Sequence, residues 1–272
     1  MPHVSSTHNS RLQHAMRLVA SSRDRRKAGR CVLEGEHLVS VYLARAGLPE
    51  LLIVVAERME DPGMQAIAAQ VPPTDVLIVP TKVFSQLGAL PAAVGVLAVV
   101  ATPSGELSAP RRFHLLLEDV QDPGNVGTIL RTAAAAGVEQ VLLSKHSAFA
   151  WAPKVLRAAQ GAHFLTAIAE NVDLQSWVRQ FRAGGGQIVA TVPNGGQNLF
   201  TSILRAPLAI AIGNEGGGLT QALLDTVDAK LTIPMPGGME SLNVSAAAAI
   251  TMFEVVRQGV AASQSDVRST CE

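Results

Sequence analysis

The stretch LTIPMPGGMESLNVSAAAAI, residues 231–250, carries more information than any other part of the chain. A short apolar strand runs into a Pro/Gly loop, which hands over to a helix opening with Ser241, Asn243 and Ser245. Three small polar side chains at alternate positions cannot all serve one helix cap. The run therefore reads as backbone shaped around a ligand, with helix-start donors aimed into it.

Two upstream turns share this character. LAIAIGNEGGGL, residues 208–219, is a hydrophobic strand that stops at Gly213 and continues as Asn214, Glu215 and three glycines. A glycine turn after a parallel strand lets a ligand approach bare backbone. It is neither a phosphate loop nor a dinucleotide fingerprint, and its glutamate argues against holding a bare phosphate. LEDVQDPGNVGTILRTAAAAG, residues 117–137, is a strand end at Glu118 and Asp119, a turn through Asp122–Gly124, then a helix. Asn125 is placed at or near the helix N-cap. Arg131 follows six residues later, nearly two turns on, on the same broad side. By itself this segment also fits an ordinary capped helix with an exposed arginine. Loops at the carboxyl ends of parallel strands gather on one edge, where ligands bind. Together the three turns predict a small-molecule site built mainly of backbone, with Asn125, Arg131, Glu215, Ser241 and Asn243 as its polar groups.

Composition sets the frame. The 272 residues are 48% hydrophobic and 16% charged, which describes a well-packed protein rather than a largely disordered chain; its α/β class follows from the strand–helix alternation given below. No apolar run approaches the roughly 20 residues of a membrane span, and the polar N-terminus lacks a signal-peptide core; the expected compartment is the cytoplasm, with no membrane partner. Two cysteines, Cys31 and Cys271, cannot build a disulfide framework, and the seven histidines show no metal-ligand spacing, so no metal is expected. The net charge of zero hides an asymmetry: residues 1–30 hold seven basic side chains against one acid, Asp24. This segment reads either as a phosphate-contacting arm or as a solvated terminus.

Punctuation at residues 102–110 (TPSGELSAP) reads as a linker between a domain at 1–101 and a second at 111–260, with a polar tail at 261–272. Strands are predicted at 31–33, 51–55, 76–79 and 95–100, then near 113–118, 139–143, 187–192, 207–212 and 229–233. Helices alternate with them, among them 9–18, 126–136 and 242–258. Such alternation implies βα units and largely parallel sheets in both halves. No internal repeat or low-complexity tract occurs.

The three turn segments, in this order and spacing, resemble the motifs of the SpoU/TrmH branch of the SPOUT methyltransferases. Residues 30–41, RCVLEGEHLVSV, resemble the start of the ribosomal-protein-like substrate-binding domain that precedes many of these catalytic domains. The resemblance spans roughly residues 10–258. It implies S-adenosylmethionine-dependent methylation of an RNA ribose 2′-hydroxyl, a C-terminal domain closed by a deep trefoil knot, and a homodimer through that domain. It further implies that Gly213, Asn214, Glu215, Ile233 and Met235 touch the cofactor, that Leu242 packs on the adenine, and that Asn243 and Ser245 occupy matched motif positions. Asn125, Arg131, Glu215, Ser241 and Asn243 form the implied catalytic group. RNA contacts are assigned to Arg11, Arg23, Arg25, Arg26, Lys27, Arg30 and Arg131. Departures fall at Ala93-Val94-Gly95, where relatives carry Pro-Gln-Gly, and at Ala159, where relatives often carry serine. The separate N-terminal domain favours 23S ribosomal RNA as substrate. A transfer-RNA methyltransferase and a catalytically silent RNA-binding knot protein are the alternatives.

Overall fold

Seven parallel strands, in the order β7 (Ala167–Ala169), β6 (Gln140–Leu143), β5 (Phe113–Leu117), β10 (Leu208–Ile212), β8 (Gln187–Thr191), β11 (Ala229–Thr232), β9 (Gln197–Asn198), dominate the computed structural model, which describes residues 1–87, 95–103 and 112–260. The chain divides into two compact units. The first holds Met1–Pro103 together with Trp151–Phe164; the second holds the other described residues. Residues 104–110 of the linker, Ala93 and Val94 of the departing motif, and the tail at 261–272 lie outside the described residues.

The first unit begins with two helices, α1 (Ser10–Ala20) and α2 (Ser22–Ala28). Asn9 caps α1 by accepting from the Arg11 and Leu12 N–H groups, and Ser21 caps α2 by accepting from Asp24. The four-stranded sheet has the order β1 (Arg30–Glu34), β4 (Val96–Ala101), β2 (Leu51–Val55), β3 (Val76–Val79). Leu12, Ala15 and Leu18 on one face of α1 bury against Val32, Ile53, Val55 and Val99. The segment is therefore folded, with one face of α1 in the core, which corrects the reading of it as a loose terminus. The expectation of a largely parallel sheet is also corrected in this half. β2 and β3 are parallel, but β4 enters between β1 and β2 and runs antiparallel to both. Only the β2–α4–β3 connection, through α4 (Pro62–Ala69), is a crossover of the kind parallel pairing requires.

In the second unit, β5 (Phe113–Leu117), α6 (Pro123–Ala135), β6 (Gln140–Leu143) and β7 (Ala167–Ala169) build one side of the sheet. α7 (Pro153–Ala159) lies within the segment that clusters with the first unit. The other side follows with α8 (Leu174–Ala183), β8 (Gln187–Thr191), β9 (Gln197–Asn198), β10 (Leu208–Ile212), α9 (Gln221–Leu224), β11 (Ala229–Thr232) and α10 (Val244–Arg257). All six pairings are parallel. The central strands β5 and β10 are buried along their whole length, as an all-parallel sheet covered on both faces demands. β7 and β9 escaped sequence reading because three and two residues are too few to show a period. The strand order leaves β5 toward β6 and β7, then reverses toward β8 and β11, so the carboxyl ends of β5 and β10 flank the switch point. Among the described residues no helix is long and apolar enough to cross a membrane.

Candidate active site

A cavity of about 270 Å³ opens at the carboxyl ends of β8, β10 and β11. Its walls are the residues after each strand: Thr191–Pro193, Gly213–Gly216 with Gly218, and Ile233 with Met235, closed by Ser241–Val244 and Ala247. The size lies near the lower end of the ~300–1,000 Å³ common for small-molecule sites.

The β10 turn owes its shape to two residues. A Cβ on Gly213 would lie 2.3 Å from Gly218 C and from Leu219 N, so only glycine lets the turn fold back on itself. Asn214 then locks it. Its backbone exchanges hydrogen bonds with Gly218 (3.0 and 2.9 Å), and its Oδ1 accepts from the Gly216 and Gly217 N–H groups (2.8 and 2.9 Å). Its Nδ2 donates to the Asp119 carbonyl at 2.8 Å, joining this turn to the one after β5. Buried Glu118 adds a second joint by accepting from Thr220 N (2.7 Å) and Thr220 Oγ1 (2.8 Å).

At the cavity rim the predicted polar residues form a chain of hydrogen bonds. Asn125 Nδ2 donates to Glu215 Oε1 at 3.0 Å, and Asn243 Nδ2 donates to Asn125 Oδ1 at 3.1 Å. Asn243 Oδ1 in turn accepts from Ser245 N at 2.9 Å and from Ser245 Oγ. Asn243 is thus both the N-cap of α10 and a member of the rim. Glu215 also accepts from the Asp122 and Gln121 N–H groups. Burial pushes its carboxyl upward, but the hydrogen bonds from Asn125 and the backbone outweigh that and hold it below the usual glutamate range.

Gly213, Asn214, Glu215, Ile233, Met235, Ser241, Leu242 and Asn243 all line the cavity. Ser245 stands one hydrogen bond behind it, through Asn243. The N-cap of α6 is Asp122, which accepts from Asn125 N at 2.8 Å; Asn125, read as at or near the cap, lies in the first turn beside it. Arg131 is not brought to the group. Six residues of helix are 600° of rotation, which leaves it about 120° around the axis from Asn125. It is exposed, and its guanidinium makes no hydrogen bond or ion pair among the described residues.

The basic N-terminal residues divide. Arg23, Arg26 and Lys27 are exposed on α2. Arg25 is buried, its Nη1 donating to the Leu18 and Val19 carbonyls, so the RNA role assigned to it is corrected: its charge closes the end of α1. Arg11 donates to the Thr74 carbonyl at 2.6 Å, and Arg30 pairs with Glu50 at 2.6 Å. Sequence reasoning missed Glu118, Thr220 and the Thr191–Pro193 wall. The wall had a signal in TVPNGG, a Pro-Asn-Gly-Gly turn directly after a strand. Glu118 had one as a carboxylate at the end of a buried strand.

The family model described as the SpoU rRNA Methylase family matches residues 112–253, the span that contains every rim residue and every cavity wall. The chain belongs to the SpoU rRNA methylase family. It is an RNA 2′-O-ribose methyltransferase. The 23S rRNA (guanosine(2553)-2′-O)-methyltransferase RlmP of Bacillus subtilis is 31% identical over 255 residues, covering 94% of this chain and 99% of that protein. Among solved structures, the SpoU methyltransferase AviRb of Streptomyces viridochromogenes, in complex with the cofactor AdoMet, superposes with a TM-score of 0.81 at 26% identity, covering 93% of this chain and 99% of that one. An AdoMet-bound rRNA methyltransferase of Sinorhizobium meliloti gives 0.80 at 28% identity, over 94% and 97% of the two chains.

Proposed function

We propose that this SpoU methylase methylates the ribose 2′-hydroxyl of a guanosine in 23S ribosomal RNA, with S-adenosylmethionine held in the β8–β10–β11 cavity. The observation that carries the reading is the Glu215–Asn125–Asn243 chain standing on the rim of that cavity. The cavity suits the cofactor chemically. Ile212, Ile233, Leu242 and Val244 offer an apolar wall for a flat base, while the glycine turn offers close backbone. When bound, the cofactor supplies a methyl group already activated on a sulfonium. The substrate is supported by the near full-length match to RlmP, whose name gives a 23S guanosine.

The protein must orient a poor nucleophile and help it shed a proton. Asn125 and Asn243 fix each other and are fixed in turn by Glu215 and Ser245, so their amides meet the ribose without first losing rotamer freedom. Ser241 lies beside them in the wall. Arg131 is the remaining member of the implied catalytic group. Its role in this reading is to grip the target phosphate and stabilise charge developing on the oxygen.

Arg131 reaches a cavity through dimerisation. Phe200 (49% exposed), Ile203 (70%), Phe253 (48%) and Val256 (41%) leave an apolar surface on α10 and the adjoining Leu199–Thr201 turn, which Gln258 ties together through Ser202 and Leu204. In our reading a second copy covers it and contributes the missing arginine, with the C-terminal domain closed by the knot its family resemblance implies. The proposed rRNA substrate supports the cytoplasm as the enzyme's compartment. The domain division at 1–101 and 111–260 assigns RNA capture to the first domain, through Arg23, Arg26 and Lys27.

The test incubates the protein and S-adenosylmethionine with 23S rRNA and, separately, with transfer RNA, followed by nuclease digestion and mass spectrometry. The expected product is 2′-O-methylguanosine in the 23S sample. Methylation confined to transfer RNA overturns the substrate. Cofactor binding without transfer to either RNA identifies a silent RNA-binding protein instead.

A further inference from the structure

We propose that Lys145 and His146, in the loop after β6, form a phosphate-gripping pair that holds the RNA over the catalytic edge; the inference rests on the RNA methyltransferase reading above. A polyanionic substrate has to approach the edge where the strands of the parallel sheet end. The loops that follow the strands there span residues 118–122, 144–149, 170–173, 192–196, 199–204, 213–220 and 233–243. These loops carry seven carboxylates, among them Asp119, Asp122, Glu215 and Glu240. Their basic side chains are Lys145 and His146; Arg205, just beyond residue 204, has its N–H bonded to Gln187 at the start of β8 and so stands at the opposite edge. On so acidic an edge Lys145 supplies a local positive charge for phosphate besides the Arg131 contact proposed above, and His146 adds a hydrogen-bonding group beside it.

The loop is built to hold them still. Ser144 Oγ donates to Asp119 Oδ1 and accepts from Asp119 N at 2.8 Å. Ser144 N and Ser147 Oγ both donate to the Leu117 carbonyl, at 3.0 and 3.2 Å, and Ala148 N donates to the Val120 carbonyl at 2.8 Å. Every one of these bonds lands on the last residue of β5 or the segment just after it. That segment is itself joined to the cavity turn by the Asn214–Asp119 bond. A short run of hydrogen bonds therefore connects the Lys145 loop to the wall of the cofactor cavity. Between the two anchoring serines, Lys145 and His146 are exposed, and their side chains have no partner among the described residues. A lysine charge and an imidazole hydrogen-bonding group on a pinned loop lose little entropy on gripping a phosphate, and spending neither side chain on the fold leaves both free to do so.

The test compares the unsubstituted protein with Lys145→Ala, Lys145→Arg and Lys145→Ala/His146→Ala. Affinity for a 23S rRNA transcript is measured across roughly 50–200 mM KCl, with S-adenosylmethionine affinity measured in parallel by calorimetry. Lys145→Ala is expected to weaken RNA binding about tenfold at low salt and to lower the log–log salt slope by about 1. The arginine variant restores the slope, the double variant binds more weakly still, and cofactor affinity stays unchanged. An unaltered slope in the double variant overturns the proposal, and so does a parallel loss of cofactor binding, which would assign the loop to the cavity. Unsubstituted protein that binds the transcript but transfers no methyl group refutes the methyltransferase reading, while the slopes still decide the phosphate contact. Absence of RNA binding overturns both.

Discussion

Replacing Gly213 by alanine tests whether the β10 turn shapes the cofactor cavity. The added methyl meets Gly218 C and Leu219 N at 2.3 Å and Gly218 O at 2.5 Å, more than 1 Å inside ordinary contact and all backbone. No side-chain rotation relieves this; the turn itself has to open. Opening breaks the paired Asn214–Gly218 hydrogen bonds and draws Asn214 away from Asp119. Two such bonds contribute about 1–3 kcal/mol together, and overpacking strain is of the same size. If the closed turn is the form that binds, an opening of about 1–3 kcal/mol lowers S-adenosylmethionine affinity about 5- to 150-fold. The melting temperature falls by about 2–4 °C for each kcal/mol in a unit of this size. Gly217→Ala is the control. Its Cβ meets nothing closer than Asn214 Oδ1 at 3.8 Å, its φ is not positive, and it does not line the cavity. Calorimetry of the two variants decides the matter. Equal cofactor affinity in Gly213→Ala and Gly217→Ala refutes the reasoning, whether both are normal or both are weak.

Asn125→Ala removes the central link between Glu215 and Asn243, and is expected to lower kcat about 10²-fold with little change in cofactor affinity, read by single-turnover methyl transfer; equal losses in both would make Asn125 part of the cavity's scaffold. Glu215 links the rim to pH. Because its folded carboxyl titrates below the ordinary glutamate value of about 4.3, its contribution is fully present above that pH and is lost as pH falls through the lower folded value. Asn125→Ala weakens that depression, so acid unfolding followed by circular dichroism is expected to begin at higher pH in the variant. Arg25→Ala strips the Leu18 and Val19 carbonyls of a buried charged donor and is expected to cost about 1.5–3 kcal/mol in urea unfolding without altering the salt slope of RNA binding. Lys27→Ala is expected to do the reverse.

What could be read from the chain was what recurs locally. LAIAI and FHLLL announce buried parallel strands because both faces of such a strand are apolar, and both became central strands of the sheet. The glycine turn and the 231–250 run marked the cavity because backbone freedom and helix-start donors leave a trace in residue type. What depended on a third dimension was harder to see. Nothing in SRDRRKA separates Arg25, turned inward beneath α1, from Arg23 and Lys27, turned outward, since all three sit in one basic run. Glu118 and Thr220 are 102 residues apart, and their bond exists only because β5 and β10 are neighbours. The parallel expectation failed in the first unit because βα alternation does not say where the last strand inserts, and β4 inserted between β1 and β2. Helix spacing read Arg131 onto the same broad side of α6 as Asn125, but six residues leave about 120° between them, which turns attention to a second subunit.

The central claim is that the cavity at the ends of β8, β10 and β11 presents an activated methyl group to a ribose held by Asn125 and Asn243. A crystal structure of the protein grown with S-adenosylmethionine tests it most directly. Cofactor density is predicted between the Gly213 turn, Ile233–Met235 and Leu242, with its methyl carbon directed at the Asn125–Asn243 rim. Density elsewhere on the molecule, or a methyl carbon facing away from that rim, contradicts it.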